Sequence, residues 1–185
     1  MNRYRQIILV SSVLAVFSFW TQVSASQEKK EGPLRFRALP KKALFKRGED
    51  VILLLSLTNN SNEPIFVSRL NTGEFVDIEL KGPNGDEVPW QGRRKIDNKE
   101  YDPADFVVLK PGQKITANRI VSLKDGEGFL VKQAGRYSVK AQYSLGPPDY
   151  FAPIARSARI PPGPFPSARS SFCVETCNPS ADTTR

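Results

Sequence analysis

The feature that most constrains this chain is a cadence. From Leu34 to Tyr143, short runs alternate apolar and polar residues with a period of two, and turn-forming clusters interrupt them about every eight to twelve residues. No convincing helix is present. In "LRFRA", Leu34, Phe36 and Ala38 share one face, while Arg35 and Arg37 share the other; Pro40 stops the run. In "VILLLSLTN", the set Val51, Leu53, Leu55, Leu57 is wholly apolar, as suits a central strand facing a second sheet. Ile52 and Leu54 on the reverse side also call for cover, such as a loop would supply. The runs "PIFVSRL", "FVVL", "ITANRIVSL" and "FLV" continue the pattern, with a hairpin in "EFVDIELKGPNGDEVPW". Gly85 sits where a turn needs positive φ, and Pro111-Gly112 suits a type II turn.

These runs predict an all-β fold: an immunoglobulin-like antiparallel β-sandwich of about eight strands, with a small barrel as the alternative. The stretch "QAGRYSVKAQYS" sharpens the expectation. Gly135 followed by Tyr137 fits a tyrosine corner at the entry to the sixth sandwich strand, its hydroxyl bonding backbone a few residues upstream. Antibody domains place a cysteine two residues after that tyrosine; here Val139 stands there, to pack on Leu53 or Leu55. Tyr137, Val139, Ala141 and Tyr143 form the buried face of this strand. "SSFCVE" would be the last strand. The 26 residues "GPPDYFAPIARSARIPPGPFPSARSS" before and into it hold seven prolines, which make an extended connection with little ladder pairing.

The N-terminus reads as a secretory signal. Arg3 and Arg5 precede an apolar run of 14 residues, Ile7 to Trp20, and Val23-Ser24-Ala25 is a small-residue cleavage site. A spanning helix needs about 20 apolar residues, so no membrane anchor is expected. The predicted organisation is a signal peptide at 1–25 and a linker at 26–33. The sandwich follows at 34–176 with its proline-rich connection at 146–167, then a polar tail at 177–185. The protein is expected to be secreted or periplasmic. Loss of Arg3 and Arg5 takes the 27 basic residues to 25 against 19 acidic ones. A basic exported chain suits a protein partner or an acidic polysaccharide or envelope ligand, and nothing in it resembles a nucleic-acid motif. Two loops are the candidate binding segments: Gln91 to Asp105, with Arg93, Arg94, Lys95 and Tyr101, and the proline-rich connection, with Tyr150 and Phe151.

The chain has no histidine, which removes Ser-His-Asp and Cys-His catalysis and every zinc site that needs imidazole. No enzyme activity and no cofactor or metal is expected. Cys173 and Cys177 are expected to form a local disulfide, which requires the chain to turn between them, because bridged Cα atoms lie within about 7 Å. Intermolecular pairing, free thiols and a soft-metal site are the alternatives. Asn59-Asn60-Ser61 is a glycosylation sequon in a eukaryotic host, and "KDGEG" is a turn without the oxygen ligands of a calcium loop.

Several of these motifs resemble the immunoglobulin-like N-terminal domain of deuterolysin-type and peptidyl-lysine zinc peptidases. They are Thr58-Asn59 closing a strand, Gln91-Gly92 with Tyr101 downstream, Leu109-Lys110-Pro111-Gly112-Gln113, and Gly135-Arg136-Tyr137. The resemblance runs from about Leu34 to Leu145 and implies the fold and an accessory role. It does not imply peptidase activity, since the zinc-binding His-Glu-x-x-His helix of that family is missing. The expected function is therefore an exported, non-catalytic binding or accessory module. An inhibitor or pro-domain-like partner of a secreted peptidase, or a structural envelope component, is the alternative.

Overall fold

The alternation that marks the strands also decides which side of each is buried. The computed structural model describes residues 32–70, 75–92, 102–145, 160 and 165–175. The chain divides into two units, Met1–Lys30 and Glu31–Arg185, and every described residue belongs to the second. Its strands, in order, are β1 (Leu34–Pro40), β2 (Leu44–Phe45), β3 (Ile52–Asn59), β4 (Ile65–Ser68), β5 (Val76–Lys81), β6 (Glu87–Val88), β7 (Trp90–Gln91), β8 (Phe106–Leu109), β9 (Lys114–Ile120), β10 (Gly128–Phe129), β11 (Gly135–Tyr143) and β12 (Ser167–Val174). Eight of these described strands have four or more residues. The 3-10 turn Pro103–Asp105 is capped by Asp102, whose Oδ1 accepts from Ala104 N–H at 2.8 Å.

The fold is an all-β immunoglobulin-like sandwich. One sheet runs β1-β3-β9 and the other β2-β12-β11-β5-β6, with smaller pairs β4-β8 and β7-β10. The pairings between these strands are antiparallel except the short β2–β12 contact, where Cys173 and Val174 run parallel to Leu44 and Phe45. That contact was not anticipated, since two residues are too few to show a period. Its anchor is Phe45, whose ring meets Phe172 edge-on at 5.5 Å.

Between the sheets, Leu34, Phe36 and Ala38 of β1 and Val51, Leu53, Leu55 and Leu57 on and beside β3 face Ile78, Leu80, Tyr137, Val139, Ala141 and Tyr143. None of these is more than 8% exposed. Val139 and the two leucines expected to pack with it thus share one dry core, as sandwich packing without an inter-sheet disulfide requires.

Two local expectations need correction. The hairpin after β5 does not return as one strand: Leu80 pairs with Val88 and Lys81 with Glu87, but Trp90 and Gln91 then pair with Phe129 and Gly128. Pro89, which has no N–H to donate, stands where the chain changes partner. The last strand starts at Ser167, earlier than "SSFCVE", because Arg169 and Ser167 find partners in Lys140 and Gln142. β1 starts at Leu34, and just before it Pro33 O accepts from Asn60 N–H at 2.8 Å.

The two expected turns have the geometry their residues require. Gln113 N–H donates to Lys110 O at 3.0 Å across Pro111-Gly112, with Gly112 at φ 74°. Gly85, at φ 84°, closes the turn after β5, and Gly85 N–H donates to Gly82 O at 3.0 Å.

Candidate binding surfaces

The corner at the start of β11 is structural. Tyr137 Oη accepts from Gln133 N–H and donates to Gln133 O, both at 3.0 Å. Its ring stacks on Phe172, directly opposite on β12, with centroids 5.2 Å apart and planes 3° from parallel. Gly135 has φ 130°, and a Cβ there would lie 2.8 Å from Pro83 Cβ in the turn after β5. The glycine thus brings the corner and that turn into contact.

A second tyrosine, which the sequence marked only as a core face, does similar work in a drier place. Tyr143 Oη accepts from Ser68 N–H at 2.8 Å and bonds Ser68 Oγ at 2.9 Å, and both residues are fully buried. Burial pushes this phenol up to about 12, and its bonds to Ser68 offset only part of that rise.

Asn59 corrects another expectation. The sequon asparagine is 0% exposed. Its Nδ2 donates to Glu63 O at 2.7 Å and to Leu109 O at 2.8 Å, while Oδ1 accepts from Ser61 N–H at 2.9 Å and Ser61 Oγ at 2.8 Å. The side chain ties the end of β3 to the following turn and to β8. It is not presented for glycosylation.

Two outward faces remain as surfaces for a partner. On the β1-β3-β9 sheet, the outward residues line up in rows. Leu39, Leu54 and Asn118 form one row, with Ile52 beside Ile120 at the same end; Arg37, Ser56 and Thr116 form the next; Arg35, Thr58 and Lys114 close the other end. The cover expected over Leu54 is not there: Leu39, Leu54 and Ile120 are 49%, 43% and 39% exposed. These rows hold four apolar side chains, three cations and no carboxylate, so the face grades from apolar to basic along the strands.

The outward face of the other sheet is polar. A shallow depression of about 600 Å³ crosses β5, β11 and β12, between Lys81, Ser138, Lys140, Arg169 and Ser171. Lys140 Nζ donates to both oxygens of Glu79, at 2.8 and 3.0 Å, and this hydrogen bond holds the Glu79 carboxyl below its ordinary value. The charges across this face are thus partly neutralised by their own neighbours.

Of the residues singled out from the sequence, Gly135, Tyr137 and Cys173 are described. Arg93, Arg94, Lys95, Tyr101, Tyr150, Phe151 and Cys177 lie outside the described residues, as do the signal peptide and the polar tail. Cys173 sits partly exposed opposite Arg136, and no free cysteine occurs among the described residues. No group of three metal-ligating side chains occurs among the described residues, and no helix among them is long and apolar enough to cross a membrane.

No family model and no curated protein matches this chain. Solved structures of similar outline share little sequence with it. An alkylpurine DNA glycosylase from Pseudomonas fluorescens is 12% identical at a TM-score of 0.37, covering 78% of this chain and 31% of its own. The CARDB domain of a Pyrococcus furiosus protein is 11% identical at 0.37, covering 78% and 96%. A β-glucosidase from Listeria innocua is 11% identical at 0.38, covering 76% and 16%. The chain thus spans under a third of the glycosylase and less of the glucosidase.

Proposed function

We propose that this protein is an exported, non-catalytic immunoglobulin-like module that acts by binding, with the outward face of the β1-β3-β9 sheet as the surface that meets its partner. The observation that carries this is the exposure of Leu39, Leu54 and Ile120 on three adjacent strands. Single exposed apolar residues are ordinary, but neighbours across a sheet make a continuous patch of the kind that marks an interaction site. The apolar-to-basic gradient beside it favours an acidic protein partner. The resemblance to the N-terminal domain of deuterolysin-type peptidases agrees with an accessory role, and export rests on the first 25 residues.

The test compares the mature chain with a Leu39→Glu, Leu54→Glu double variant. Both should fold, because the two leucines point away from the core. The wild type should retain a partner from the secreted fraction of its own host, and the variant should lose it. Equal recovery by both would move the interaction elsewhere. Zinc-dependent proteolysis by the purified chain would end the non-catalytic reading.

A further inference from the structure

β9 forms one border of its sheet, and its hydrogen-bonding phase can be read from its two ends. Asn59 N–H donates to Gln113 O at 3.0 Å, and Val121 N–H donates to Val51 O at 2.9 Å. Hydrogen-bonded pairs recur at every second residue of an antiparallel ladder, so Ile115, Ala117 and Arg119 turn their backbone groups toward β3. Lys114, Thr116, Asn118 and Ile120 turn theirs outward, where no backbone partner stands among the described residues.

The border is open at the side chains too. On β1, the opposite border, the inward residues Leu34, Phe36 and Ala38 are 1–4% exposed, because β12 packs alongside. On β9 the inward residues Ile115, Ala117 and Arg119 all remain partly exposed. Seven residues at about 3.3 Å each make a border of about 23 Å. Its register runs unbroken against β3 and it contains no proline. Charges that discourage strand pairing sit only toward its ends: Lys114 at one, and at the other Arg119, turned inward to donate to Val76 O at 2.8 Å.

We infer that β9 is a docking edge that accepts an extended segment of a second protein as an added strand. This rests on the binding function proposed above, because the added strand would lie flush with the same outward face. The segment should carry an apolar residue beside Ile120 and a carboxylate beside Lys114, since this face supplies cations and no acid of its own. A second copy of this chain is a poor match. Two-fold pairing about Ala117 sets Lys114 opposite Ile120 and Thr116 opposite Asn118, and leaves both lysines without an anion.

The test titrates the mature chain with two capped nine-residue peptides of alternating valine and threonine, one ending in glutamates and the other in lysines, while backbone amide signals are followed. The glutamate peptide should shift the amides of Lys114–Ile120 and bind about fivefold more tightly than the lysine peptide. Lys114→Glu should reverse that preference. Thr116→Pro removes an edge-facing N–H without touching the β3 ladder, a change that border strands tolerate, and should abolish binding. Should that variant not fold, Lys114→Glu alone decides. Binding that survives Thr116→Pro and shifts only Leu39 and Leu54 overturns the edge and leaves the face as the binding surface. Failure of both peptides with a monomeric protein in sedimentation overturns the edge. A dimer dissolved by Thr116→Pro replaces the acidic segment with a second copy.

Discussion

Two tyrosine hydroxyls in this sandwich hold backbone groups, and they differ chiefly in how dry the held groups are. Tyr137 serves Gln133, which is exposed; Tyr143 serves Ser68, which is fully buried. Replacing either tyrosine with phenylalanine keeps the ring and removes the oxygen. After Tyr137→Phe, water can reach the released Gln133 groups, so the loss should be about 1 kcal/mol, the net worth of ordinary hydrogen bonding. After Tyr143→Phe, the Ser68 N–H has no water to turn to, and stranding it should cost about 2–3 kcal/mol. For a domain of this size about 1 kcal/mol moves the thermal midpoint by roughly 2–4 °C, so the two variants should separate clearly. Urea denaturation with an unchanged slope would show that the denatured state has not been altered instead. Adding Ser68→Ala to Tyr143→Phe removes the serine hydroxyl but not the N–H, so it should restore little. If Tyr137→Phe proved as costly as Tyr143→Phe, burial of the stranded partner would not be what sets the cost.

Other perturbations have equally definite outcomes. The folded Tyr143 phenol is held at about 12 while an unfolded one titrates near 10, so its contribution is complete below pH 10 and is lost as pH rises to 12; the advantage of wild type over Tyr143→Phe in unfolding free energy, measured in urea, should shrink by up to about 2–3 kcal/mol across that window. Gly128→Ala should destabilise by about 2–4 kcal/mol, because φ is 128° and the new Cβ meets Ser122 O at 2.5 Å; Gly135→Ala should cost less, since it meets the side chain of Pro83 in a surface turn. Asn59 should carry no glycan when the chain is secreted from eukaryotic cells, as checked by mass, and Asn59→Ala should lower the melting temperature. Replacing Cys173 and Cys177 with serine should leave a cooperative domain about 2 kcal/mol less stable by the loop-entropy estimate, and free thiols on the native protein would instead revive the metal or redox alternatives.

The strands were legible because burial imposes a period. A core face shared by Leu53, Leu55 and Leu57, or by Val139, Ala141 and Tyr143, leaves its mark at every second position, and a one-residue slip would expose all of it. Tyr137 was legible for another reason: a corner needs a glycine with positive φ two residues ahead, and that chemistry is local. What stayed hidden depends on a distant partner. Nothing in "VILLLSLTN" says that Asn59 will reach Leu109, fifty residues on, or that a polar residue closing a strand is a buried hub rather than a sequon. Ser68 is likewise an ordinary strand residue until Tyr143, 75 residues later, stands over it.

The binding surface lies beyond the reach of alternation for a related reason. A period of two tells which side of β3 points inward, and it also shows that Leu54 points outward. It does not tell whether a loop covers Leu54, because cover comes from the order of strands and the path of connections. The expected loop is absent from this face among the described residues, so Leu54 lies open beside Leu39. Borders are harder still to read. β1 and β9 have similar lengths and both alternate, yet β12 packs against one and leaves the other open. Only the packing of the other sheet separates a closed border from an open one, and an open border shows itself in the half-exposure of residues that alternation assigns to the core. Ile115 and Ala117 carry that signature here. It follows that covering them, rather than Leu54, distinguishes an added strand from a partner lying on the face: protection of their side chains on binding would mark the edge, and protection of Leu39 and Leu54 alone would mark the face.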